Sequence, residues 1–128
     1  MSEGYLADAC AIIAFFADDG ASMTKAGFAA MQDDVAISPI TVWELTRKAS
    51  LGKLPPLPTI DGSFARWLAA QGFRVQPLTW ADTERANALP PIHKDPMDRM
   101  LIAQALNSDM SVITEDALYR HYGVKTVW

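Results

Sequence analysis

The chain has 128 residues, a formal net charge of −4 and an apolar content of 50%. That length suits one domain with a real hydrophobic core, and the composition excludes disorder and collagen. A lone cysteine, Cys10, excludes a disulfide scaffold, and the longest apolar run, Ala9 to Ala17, is far too short for a membrane span. No Lys or Arg precedes that run, and Glu3 and Asp8 stand where a signal peptide needs positive charge, so a soluble cytoplasmic protein is expected. Fifteen acids against eleven Lys and Arg disfavour tight stand-alone binding to nucleic acid. They leave nucleic acid open as a substrate, because metal ions bridge acidic pockets to phosphates.

The first predicted strand is Tyr5-Leu6-Ala7, ending at Asp8. Ala9 to Ala17 reads as a helix broken by Asp18-Asp19-Gly20, and Ala21 to Gln32 as a second helix. Val35-Ala36-Ile37 reads as the second strand. Ser38-Pro39 then starts a helix running to about Ser50, since Ser accepts from first-turn N–H groups and Pro suits the first helical position. Leu51 to Ser63, rich in Pro and Gly, is a connector. Phe64 to Ala70 is helical, and Phe73 to Leu78 is the third strand. Thr79 and Asp82 allow a reciprocal cap for a helix closed by Pro90-Pro91. Asp95-Pro96 opens a helix to about Asn107, Ser111-Val112-Ile113 is the fourth strand, and Glu115 to Tyr122 a short helix. Val124 to Val127 fits a fifth strand at an edge. Strands separated by helices need crossover connections, so the sheet is expected to be mainly parallel with helices on both faces.

Such folds bind ligands outside the carboxyl ends of strands. Asp8 ends strand one, Glu44 lies in the helix after strand two, and Asp116 follows strand four. Asp98 lies in the first turn of its own helix. Four carboxylates at one rim repel one another and call for a cation, and carboxylate oxygen suits Mg²⁺ or Mn²⁺. Zinc spacing is absent: Cys10 is single, and His93 and His121 are expected to lack partners.

Each acid also has an ordinary structural explanation. Asp95 and Asp98 fit a cap and a capping-box acid, and Asp116 fits a helix start. Glu44 fits a solvated helix position. Asp8 is harder to explain, because an acid ending a buried apolar strand is unusual. Asp95 is taken as a cap only. Cys10 reads as a small core residue. Trp43, Trp67 and Trp80 serve either core or dimer packing or base stacking. Arg47, Lys48 and Lys53 are either a solvated helix end or a substrate phosphate contact. No nucleophile elbow, phosphate-binding loop or dinucleotide fingerprint is present.

Four segments together resemble the PIN-domain ribonucleases, specifically the VapC toxins of bacterial toxin–antitoxin pairs. They are Leu6-Ala7-Asp8-Ala9-Cys10-Ala11; Ile37 to Leu45 with Lys48 and Leu51-Gly52-Lys53-Leu54; His93 to Ala105; and Val112-Ile113-Thr114-Glu115-Asp116 with Tyr122-Gly123-Val124. The resemblance implies a single PIN domain over 1–128. Its fold would be a three-layer α/β/α sandwich around a mainly parallel sheet of four to five strands. It further implies a Mg²⁺- or Mn²⁺-dependent endoribonuclease with Asp8, Glu44, Asp98 and Asp116 as metal-site acids, a VapB-type antitoxin and a homodimer. Many relatives carry Thr then His or Ser where this chain has Ala9-Cys10. Two other functions fit an acidic pocket in such a fold. One is a catalytically silent interaction module. The other is a Mg²⁺-dependent phosphotransfer domain, which fits poorly because Cys10 and Thr79-Trp80 stand where it needs aspartates.

Overall fold

A computed structural model describes residues 4–128. Five strands form one sheet: β1 (Tyr5–Ala7), β2 (Val35–Ile37), β3 (Arg74–Val75), β4 (Ser111–Ile113) and β5 (Thr126–Val127). Their order is β3-β2-β1-β4-β5, and all four pairings are parallel. The helices are α1 (Ala9–Ala17), α2 (Lys25–Met31), α3 (Pro39–Ser50), α4 (Phe64–Ala70), α5 (Trp80–Ala88) and α6 (Pro96–Ser108). A 3-10 helix spans Ala117–Tyr122.

Two cores sandwich the sheet, divided by the two-residue alternation of the strands. Ala7, Val35, Ile37 and Ile113 face a core shared with Ile12, Met31, Leu45, Trp67 and Leu68. Leu6, Ala36 and Val112 face the other, shared with Leu101, Ile102, Ala105 and Tyr119. Three-residue strands suffice because β1, β2 and β4 are covered on both sides, as parallel sheets require. The three-layer α/β/α reading therefore stands. Among the described residues, no helix is long and apolar enough to cross a membrane.

Several boundaries differ from the sequence reading. The helix expected from Ala21 begins at Lys25, because the Thr24 hydroxyl accepts the Gly27 N–H at 3.1 Å and caps it there. Gly27 is obligatory for packing: a Cβ there would lie 2.1 Å from the Trp128 carbonyl carbon. The third strand shrinks to Arg74–Val75, since Pro77 has no N–H for a ladder and Phe73 packs into the core instead. The last helix is 3-10 and starts at Ala117, because Asp116 caps it by accepting the Leu118 N–H at 2.9 Å. The edge strand begins at Thr126 rather than Val124, whose side chain is buried under α6. The reciprocal Thr79–Asp82 cap is present. Trp67 is a core residue, whereas Trp43 is 57% and Trp80 88% exposed. Cys10 is only half-buried, and its thiol is pushed up to about 12 by burial and then by Asp8, so it stays protonated.

Candidate metal centre

β1 is the central strand and its neighbours β2 and β4 connect away on opposite sides, so the switch point of the sheet lies at its carboxyl end. Asp8 occupies that point and is buried. Its N–H donates to the Ile113 carbonyl, which ties it to the sheet. Its Oδ1 accepts the Ala11 N–H at 2.8 Å, making it the cap of α1. Burial pushes its carboxyl up to about 7; the Thr114 hydroxyl and the Ala11 N–H oppose this, and the charges of Asp98 and Glu44 add to it.

Asp98 projects from the first turn of α6. Its Oδ1 accepts from the Tyr119 hydroxyl at 2.5 Å, and its Oδ2 lies 3.3 Å from His93 Nε2. The capping-box explanation fails here, because the Asp95 N–H donates to His93 Nδ1 at 3.2 Å rather than to Asp98. Asp95 itself is the cap, with Oδ1 accepting from the Met97 N–H. Asp98 is held above the usual carboxylate range, chiefly by burial, against the hydrogen bond from Tyr119. Glu44, in the second turn of α3, is also raised by burial, with Lys48 opposing and Asp98 adding to the shift.

His93 was expected to lack partners and does not. Its Nε2 lies 2.7 Å from Asp116 Oδ2, which makes a cluster of His93, Asp98 and Asp116 whose ligand atoms fall within 4.8 Å of one another. Since Nδ1 accepts from the Asp95 N–H, the neutral ring carries its proton on Nε2 and donates it to the carboxylates. His93 is therefore better placed to hold Asp98 and Asp116 than to ligate a metal through Nε2. Asp8 and Glu44 stand outside that tight cluster and reach it through their charges.

Three residues hold this arrangement from behind. Tyr119 is fully buried, and its ring meets His93 edge-on with centroids 6.1 Å apart. Arg99 Nη1 donates to the carbonyls of Pro90 and His93, and Nη2 to those of Ala86 and Leu89. The Tyr122 hydroxyl accepts from the N–H groups of Ile92 and His93 and donates to the Pro90 carbonyl. The loop that presents His93 is thus fixed by two side chains.

Tyr119→Phe is expected to lower stability by about 1–3 kcal/mol, the cost of leaving the half-buried Asp98 carboxylate short of a donor. Loss of that donor raises the folded-state carboxyl of Asp98 further above its unfolded value. The folded state then holds the extra proton, so its stability falls as pH rises through that interval. Denaturant melts at pH 5 and pH 8 should show the larger deficit at pH 8; equal deficits would remove the linkage to Asp98.

A parallel α/β/α domain here gathers carboxylates at its switch point, and an oxygen-rich cluster of this kind can hold a metal ion. The PIN domain model matches residues 5–125, and the chain belongs to that family. PIN domains are generally nucleases and usually use divalent metals. Solved structures share the fold at low identity. FitAcB from Neisseria gonorrhoeae has a TM-score of 0.62 at 17% identity, covering 97% of this chain and 96% of that one. A toxin-antitoxin complex from Klebsiella pneumoniae has a TM-score of 0.57 at 18% identity, covering 88% and 87%. PAE2754 from Pyrobaculum aerophilum has a TM-score of 0.55 at 22% identity, covering 97% and 83%. Comparison with curated protein sequences gives no significant match.

Proposed function

We propose that this protein is a Mg²⁺- or Mn²⁺-dependent endoribonuclease, the VapC-type toxin of a toxin–antitoxin pair, acting in the cytoplasm. The carrying observation is the convergence of Asp98 and Asp116 on one point near buried Asp8 and half-buried Glu44. The donor set fits a hard cation: it is oxygen-rich, and the Asp8, Glu44 and Asp98 carboxyls are pushed up by burial and by neighbouring carboxylate charge. Asp8, Glu44, Asp98 and Asp116 would hold it. When bound, it supplies positive charge for a phosphoryl oxygen and lowers the pKa of an attacking water.

The chain's own residues divide the remaining work. Asp116 is fixed in orientation, Oδ1 accepting from the Leu118 N–H and Oδ2 from His93, and its remaining lone pairs are what it would offer a cation. Glu44 makes no side-chain hydrogen bond among the described residues, and its raised carboxyl suits a proton acceptor. It takes the proton of the water that attacks phosphorus in line, as the ester P–O bond opposite breaks. His93, fixed by Arg99 and Tyr122, keeps Asp98 and Asp116 from splaying before the substrate arrives.

The fold shared with the Klebsiella pneumoniae toxin-antitoxin complex supports an antitoxin partner. An Arg fork from such a partner would pair with Asp8, Asp98 and Asp116 and exclude metal. The exposed Trp80 on α5 supports a homodimer, whose contact would cover it.

Mn²⁺ at about a hundredfold over its dissociation constant is expected to stabilise the protein by ~2.7 kcal/mol. Cleavage of a mixed RNA should stop in excess chelator and return with Mn²⁺ or Mg²⁺. Cleavage that continues in chelator overturns the mechanism, and metal that stabilises without cleavage favours a silent module.

A further inference from the structure

Beside the carboxylates runs an open groove of about 800 Å³. One wall is α3 from Trp43 onward and the turn after it, carrying Trp43, Arg47, Lys48 and Lys53; the other is Lys94 and the start of α6. Four of the chain's eleven Lys and Arg line this one groove, in a protein of net charge −4. None of the four forms a direct ion pair among the described residues. Trp43 belongs to neither core and is 57% exposed. Trp43 and Arg47, four residues apart, share one face of α3. Glu44 also lines the groove, and Asp95 and Met97 lead from its other wall directly to Asp98.

We propose that this groove is the track of a single RNA strand, with Arg47, Lys53 and Lys94 on phosphates and Trp43 stacked on a base. The proposal rests on the nuclease reading and says how the substrate enters. Basic side chains released from ion pairs bind a polyanion by displacing its counterions. An exposed indole among them adds a stacking platform that accepts any base. A duplex keeps its bases stacked inside and offers Trp43 no free face, so the strand is single. An acidic peptide fits less well, because it brings no base to stack on the exposed Trp43. A strand on the basic end of the groove would continue towards the carboxylates.

The test is fluorescence anisotropy of a short labelled single-stranded RNA in chelator, where no metal-dependent cleavage occurs, across a salt series. Lys53→Ala and Lys94→Ala should each lower the salt slope of log affinity by about 0.7, one lost phosphate contact on a single strand. Trp43→Ala should weaken binding roughly 5- to 150-fold with little change in slope, and Trp43→Phe should recover part of it. The matching duplex and an acidic peptide should compete poorly. All three side chains are exposed, and equal melting temperatures will show that the variants fold. Unchanged slopes, an unaffected Trp43→Ala, or an acidic peptide that displaces the RNA overturns the track. Cleavage assays with metal separate the two readings. An active enzyme with unchanged variants refutes the groove alone. Groove-dependent binding without cleavage under any divalent metal refutes the nuclease alone.

Discussion

In chelator at pH 8, Asp8→Asn is expected to be more stable than the natural protein by up to about 4 kcal/mol, while cleaving no RNA. The size follows from burial, which lifts the Asp8 carboxyl from its ordinary 3.8 to about 7. At about 1.4 kcal/mol per pH unit, keeping that group ionised in the folded state costs roughly 4 kcal/mol once pH is above both values. The raised value means that the folded state holds more protons than the unfolded one between pH 4 and pH 7. Stability of the metal-free natural protein therefore falls as pH rises through that window. The advantage of the variant is absent near pH 4 and complete near pH 8. Asn keeps an oxygen for the Ala11 N–H, so the α1 cap survives the change. Saturating Mn²⁺ should close most of the gap, because it stabilises only the protein that retains its ligand. Denaturant melts at both pH values, with and without Mn²⁺, check each arm. A variant that is less stable at pH 8, or that still cleaves, would reduce Asp8 to a helix cap.

The gathering of the candidate acids near one rim was legible because a parallel sheet forces the residues after its strands to one side. Asp8, Glu44 and Asp116 follow short apolar runs that are unmistakable as buried strands, and Asp98 follows an Asp-Pro helix start. The residues that hold those acids were not legible. His93 finds Asp98 and Asp116 at 5 and 23 residues' separation, which no ligand spacing anticipates. The one available signal was its place two residues before the Asp95 cap, close enough for Nδ1 to accept the Asp95 N–H. Tyr119 reads in sequence as one residue of a short helix, yet its ring is core and only its hydroxyl reaches the site. The boundary errors have a similar origin. Thr24 and Asp116 set where helices start by side-chain capping that apolar periodicity does not record. The edge strand β3 carries Val75 at 69% exposure, so its limits are set by backbone donors and not by burial.

Arg99 is the strongest case of a residue hidden by its surroundings, and its loss should be among the most damaging in the protein. Beside Asp98 in the first turns of α6 it resembles a solvated helix position. It instead sends both guanidinium nitrogens inward to four carbonyls at 2.8 to 3.1 Å. Two of these, Ala86 and Leu89, belong to the end of α5, where helical carbonyls lack partners. The other two, Pro90 and His93, belong to the loop that presents the imidazole. Charge-assisted bonds to such acceptors are worth about 1.5–3 kcal/mol each, and water can replace only some of them. Arg99→Ala is therefore expected to cost roughly 3–5 kcal/mol. Arg99→Lys should recover only a minor part, because an ammonium on a flexible stem cannot span four carbonyls as the planar fork does. Function should fall further than stability. With His93 no longer fixed, the carboxylates of Asp98 and Asp116 lose the donor between them, and their geometry relaxes before metal binds. At a temperature where Arg99→Lys remains folded, its affinity for Mn²⁺ should drop by about 10- to 100-fold, as for lost outer-shell support at other metal sites. Calorimetric titration of Mn²⁺ against a circular-dichroism melt separates the two effects. A Lys variant that is destabilised yet binds Mn²⁺ as tightly as the natural protein would confine Arg99 to holding α5 and α6 together.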